Sequence, residues 1–173
     1  MIRLLCVLLP LFAAACGRSG TEIVVPGGTG PVAHAAGADD ADCNLQTKLV
    51  PGVPGSPGHL IPSKRNPNGD SELAVLMRTM VDDLREVRTL LEAKQPVKKL
   101  LPTHRKMRCA WPTTPEERNE AYDARSKGYL AAVRAFDAAP DKATYNAIVA
   151  GCISCHAASC GGPLDFIDSM KWE

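Results

Sequence analysis

The chain has almost no surplus of charge, with 20 basic and 19 acidic side chains among 173 residues and a formal net charge of +1. Nothing in that balance supplies a field able to hold nucleic acid or an anionic bilayer surface, so no nucleic-acid partner is expected. Aromatic residues are scarce, at 5%. A core can therefore form only where the aliphatic residues gather, and they gather beyond residue 70. No segment alternates apolar and polar residues with period two, which leaves no strand signal. Histidines number four, and no second Cys/His pair stands at a spacing that would complete a closed zinc site. The length suits one domain with extensions and is too short for a multidomain enzyme.

The apolar run Leu4 to Ala15 is too short to cross a bilayer as a helix. With Arg3 ahead of it and Ala13-Ala14-Ala15 at its end, residues 1–15 read as a secretory signal, and Cys6 leaves with it. Cys16 follows the small residues as in the lipobox of bacterial lipoproteins, with Ala13 where leucine is usual. The expectation is acylation of Cys16 and a periplasmic protein anchored by lipid to a membrane. Gly17, in place of a retaining aspartate, points to the outer membrane; the alternative is a soluble secreted chain cut nearby. From Gly17 to Gly69 there are ten glycines and seven prolines in 53 residues. Such a segment builds no core, so residues 16–69 are expected to form a disordered, lipid-anchored linker. His34 and His59 lie in it as isolated, solvated side chains, and Cys43 lies in it without an evident partner.

Residues 70–173 read differently. After the turn cluster Asn66-Pro67-Asn68-Gly69-Asp70-Ser71, apolar residues recur at spacings of three and four: Leu73, Leu76, Met77, Met80, Leu84, Val87 and Leu91. This is one amphipathic helix, ended by Gln95-Pro96. Val97 to Pro112 is a short helix plus loop around Leu100 and Leu101. Thr114-Pro115-Glu116-Glu117 predicts the start of a second long helix, with Thr114 as its cap and a stripe of Tyr122, Tyr129, Leu130, Val133 and Phe136. Asp141 caps a third, whose inner face carries Tyr145, Ile148, Val149, Cys152, Cys155, His156 and Ser159. Gly161-Gly162-Pro163 stops it, and the tail with Trp172 can fold back. The fold class is all-α: an antiparallel helical bundle of the four-helix type with a shortened second helix.

Cys152-Ile153-Ser154-Cys155-His156 has the spacing of a c-type haem attachment site. Residues three and four apart share one helix face, so two thiols can bond the two vinyl groups while the imidazole reaches the iron. Covalent attachment takes place in the compartment to which the N-terminal signal would deliver the chain. A thiol redox pair is the competing reading, but such a pair normally opens a helix, whereas this one lies about three turns into it.

On this motif and the helical pattern, residues 70–165 resemble the cytochrome c-prime family, helical-bundle haem proteins with the attachment motif in the last helix. The resemblance implies one covalent haem c, thioether anchors at Cys152 and Cys155, and His156 as proximal iron ligand. In the family's low-spin branch a methionine of the first helix is the sixth ligand, and the matching residue is Met77 in Leu76-Met77-Arg78. Met80 is the second choice, followed by His104, Met107 or an open site. Two departures stand out: the second helix is shorter than the family's, and Ser159 and Cys160 replace the aromatic and basic pair that often follows the motif.

The expected function is one-electron transfer by an exported monohaem cytochrome, with an unidentified redox partner protein and no enzymatic activity, because nothing arranges an acid, base or nucleophile over a substrate. The alternatives are a five-coordinate protein that binds or senses a diatomic gas and a non-haem thiol redox protein. Cys109 and Cys160 form a candidate disulfide, with Cys43 able to pair with either. The six bases Lys94, Lys98, Lys99, Arg105, Lys106 and Arg108, with no acid among them, are read either as a solvated loop or as a patch that balances haem propionates or docks an acidic redox partner.

Overall fold

The computed structural model describes residues 43–173. The expected signal segment, Cys6, the acylation site Cys16 and His34 lie outside the described residues. Three long helices dominate: α1 (Glu72–Glu92), α3 (Glu120–Ala138) and α4 (Lys142–Ser159), with the single turn α2 (Leu101–His104) after α1 and the short α5 (Leu164–Asp168) after α4. Apart from an isolated antiparallel bridge between Ile61 and Asp70, the described residues pair no strands. The all-α bundle with a reduced second helix is as expected. No helix among the described residues is long and apolar enough to cross a membrane.

Each of the three long helices starts where a side chain can satisfy its first free amides. Ser71 accepts from Ala74 N–H at the head of α1. Asp141 and Thr144 cap α4 reciprocally. The start of α3 differs from the expectation: Thr114 makes no side-chain cap, Pro115–Glu117 forms a separate 3-10 turn, and Asn119 caps the helix by accepting from Tyr122 N–H. Arg118 explains the break, because its guanidinium reaches away to the carbonyls of Arg108, Asn44 and Thr47. Met80, Leu84 and Val87 of α1, Tyr129, Leu130, Val133 and Phe136 of α3, and Tyr145, Ile148 and Val149 of α4 form the core, joined by Leu100 and Met107. Trp172 folds back onto α4, where its backbone exchanges two hydrogen bonds with the Asn146 amide, each 2.8 Å long.

The linker does not run to residue 69. Residues 43–70 are laid against the head of α1 and the connector before α3, held by polar contacts rather than by a core of their own. Cys43 is joined to Cys109 by a disulfide. Glu72 N–H donates to the Gly55 carbonyl, and Trp111 Nε1–H donates to that of Val50. Gly55 has φ +89°, and a Cβ there would stand 2.3 Å from the Glu72 backbone nitrogen, so both conformation and space demand glycine. Composition correctly excluded a core in this segment; it could not reveal that backbone hydrogen bonds and one crosslink would order it. The expected Cys109–Cys160 pair is thereby corrected: Cys109 lies on the turn that meets Cys43, whereas Cys160 is a free, exposed thiol at the end of α4. The observed crosslink spans 66 residues, which in the chain-entropy picture stabilises by about 4 kcal/mol.

Candidate functional site

The two halves of α4 differ in what they face. Tyr145, Ile148 and Val149 are sealed in the core, but Cys152, Cys155 and His156, one and two turns further on, are only half-buried. α4 packs closely on α3 and α5, and α1 stands back from it. The gap forms two lobes that share Ala74, Met77, His156 and Cys160 in their walls. The larger, about 480 Å³, opens beside Cys152 and is walled by Leu84, Val149, Ile167 and Met170. The smaller, about 160 Å³, opens beside Cys155, against Pro112 and Tyr122. The three motif side chains thus face an apolar cleft whose opposite wall is the first half of α1.

His156 is oriented from within its own helix. Its Nδ1–H donates to the Cys160 carbonyl at 3.2 Å, which fixes the tautomer and leaves the Nε2 lone pair as the donor toward a metal. Met77 lines both lobes, and Met80, 4% exposed, lies deeper on the larger one. The other two alternatives face elsewhere. His104 is fully buried with Nδ1 2.7 Å from the Tyr129 hydroxyl, and Met107 sits in the core, its carbonyl accepting from Tyr122 OH at 2.6 Å. Neither lines the cleft.

The thiols do not suit redox exchange. Burial, reinforced by the neighbouring Cys155, pushes Cys152 up to about 12, and burial also raises Cys155. A reactive pair needs the opposite shift, because the thiolate is the nucleophile. A zinc site also lacks its donors: among the described residues no three His, Cys, Asp or Glu side chains converge on one point. Haem demands less of the protein. The porphyrin brings four nitrogens, and the chain must add two thiols, one or two axial donors and an apolar slot. Cys152, Cys155, His156 and Met77 around this cleft meet that requirement.

The basic connector is largely engaged with the bundle. Lys98 Nζ lies 2.6 Å from both Asp83 and Glu86. Arg108 is buried against Asp123 at 2.8 Å, and Lys99 donates to the Asp137 carbonyl. None of the six bases lines the cleft. Guanidinium groups at the larger lobe come instead from Arg65 and Arg78, the latter bonded to Asp70. Sequence reasoning also passed over Ala74. Its signal was available, because a small residue three positions before Met77 on the inward stripe leaves room where the other positions would fill it.

Compared with protein-family models, curated proteins and solved structures, the chain shows no match.

Proposed function

We propose that the chain is an exported monohaem c-type cytochrome of the c-prime kind that transfers single electrons. The observation that carries this reading is the shared outlook of Cys152, Cys155 and His156 onto one apolar cleft with Met77 on its far wall. Cys152 and Cys155 would hold the haem through thioether bonds, and His156 Nε2 and Met77 Sδ would be the iron ligands. Haem iron supplies the one-electron chemistry; the protein sets how readily it occurs. The Cys160 carbonyl orients the imidazole and makes it a stronger donor. The Met77 thioether favours the reduced state, and the aliphatic walls keep water from the site. The Cys43–Cys109 disulfide supports an oxidising, exported location. Acylation of Cys16 and an outer-membrane anchor complete the proposal.

The test is expression with the haem-attachment machinery, followed by optical spectra of the reduced protein with and without carbon monoxide. Low-spin bands that carbon monoxide leaves unchanged support the six-coordinate electron carrier, and Met77→Ala converts them to a gas-sensitive spectrum. A wild-type spectrum that already shifts with the gas assigns the chain to the five-coordinate class. Absence of haem absorbance removes both readings.

A further inference from the structure

Behind the cleft lies a chain of polar side chains that neither ligation nor packing requires. His104 is 0% exposed, buried among α1, α3 and the connector. Its Nδ1 meets the Tyr129 hydroxyl at 2.7 Å, and its Nε2 faces Asp83 Oδ2 at 3.4 Å. That distance is long for a hydrogen bond, and neither atom has another hydrogen-bond partner. On the far side, Asp83 Oδ1 receives Lys98 Nζ at 2.6 Å, and the Lys98 side chain is 43% exposed. On the near side, Tyr129 is buried where α3 packs closely on α4. Gly151 permits that approach of α3 to α4, since a Cβ there would lie 3.1 Å from the Tyr129 ring. A run of polar side chains thus leads from solvent through Lys98, Asp83 and His104 to Tyr129, which packs against Gly151, the neighbour of one of the two residues assigned to hold the haem.

We infer that His104 is a proton site coupled to the iron: it takes up one proton from solvent when an external donor delivers one electron, and returns it on oxidation. This rests on the haem reading above. No bond between heavy atoms forms or breaks. With His104 neutral, a carboxylate facing Nε2 requires the proton there, so Nδ1 accepts from Tyr129 O–H. With His104 protonated, both ring nitrogens donate, Nε2–H to Asp83 and Nδ1–H to the Tyr129 oxygen. The Tyr129 hydroxyl proton is then free to turn away from the imidazole.

The groups that act on His104 come from every side: Asp83 of α1, Asp137 and Tyr129 of α3, and Lys98 of the connector. Burial outweighs the two carboxylates and lowers the imidazole to about 4, so the oxidised protein holds His104 neutral at pH 7. An added electron raises that value, because a negative charge increment stabilises the imidazolium across a low-dielectric gap.

The test uses the full haem-loaded chain and two readouts. First, the midpoint potential is measured against pH. The expected result is a fall with rising pH above pH 4, approaching tenfold in the reduction equilibrium per pH unit, or about 59 mV. His104→Gln flattens this component, whereas any dependence from the cofactor's own carboxylates survives. Second, the His104 titration in the wild-type chain is followed by NMR of the imidazole carbons in both oxidation states, and the expected result is a higher pKa when reduced. Equal values in the two states overturn the inference, as does a folded His104→Gln chain that keeps the full slope. Should His104→Gln not fold, the wild-type titration alone decides. A loaded chain with a pH-independent potential refutes the coupling and leaves the cytochrome reading standing; a chain that binds no haem overturns both.

Discussion

At one end of the bundle Val87, Leu100, Leu130, Val133, Phe136 and Ile148 are closed to solvent and fill the space between α1, α3 and α4. At the other end α4 presents Cys152, Cys155 and His156, α1 presents Ala74 and Met77, and the space between is left open. The same two helices bound both ends, so helix propensity does not explain the difference. Side-chain volume does. Where large aliphatic residues face each other, interiors pack to high density. Where alanine, methionine and two thiols face each other, a slot is left that something else must fill. An unfilled apolar slot in a small bundle forfeits hydrophobic stabilisation, and a porphyrin held there, as proposed, would restore it.

Substitutions at the two ends should therefore fail in different ways. The largest effect is expected for Cys152→Ser with Cys155→Ser, which should abolish covalent haem, read as loss of colour in the denatured chain after maturation. At the closed end, Phe136→Ala should destabilise the fold by about 3 to 5 kcal/mol, the usual range for a large-to-small change in a full core. Denaturant unfolding measures this, and the visible spectrum of the folded fraction should not move. A spectral change in Phe136→Ala as large as that in Met77→Ala would erase the distinction between the ends.

The next effect concerns what holds the segment ahead of the bundle. Cys109→Ala should cost about 4 kcal/mol by releasing the Cys43 crosslink. Cys160→Ser should change stability by less than about 0.5 kcal/mol, as for other exposed sites. Equal losses for the two variants would restore the Cys109–Cys160 pairing.

Much of the closed end was legible in the sequence. The apolar spacing of three and four marked every buried apolar residue of α1 and α3, though not the buried Asp83, Asp123 and Ser126, because a packed helix face leaves that periodicity. The common face of Cys152, Cys155 and His156 was legible too, as was a shortened second helix, although Pro102 starts that helix instead of breaking it. The ordering of residues 43–70 was not, because it depends on backbone hydrogen bonds and on which thiols meet in space. The break before α3 was hidden by a locally good cap at Thr114 that lost to the distant partners of Arg118. The setting of His104 was hidden for the same reason: Asp83, 21 positions earlier, and Tyr129, 25 later, come to it only through the tertiary fold.

His104 also gives the smaller pH effect. Burial lowers its pKa to about 4 from the ordinary value of 6.5, so between these values the unfolded chain binds more protons than the folded one. Its contribution is present above pH 6.5 and lost as the pH falls to 4, amounting to about 3 kcal/mol over that window. Unfolding of wild type and His104→Gln at pH 7 and pH 4 measures the difference. A wild-type chain no less stable at pH 4, relative to the variant, would contradict the buried neutral imidazole.

The most direct measurement is the intact mass of the chain matured in a host that attaches haem. The account predicts a polypeptide heavier by one haem, with that increment carried by the peptide containing Cys152 and Cys155. A mass accounted for by amino acids and lipid alone, in a colourless protein, would contradict it.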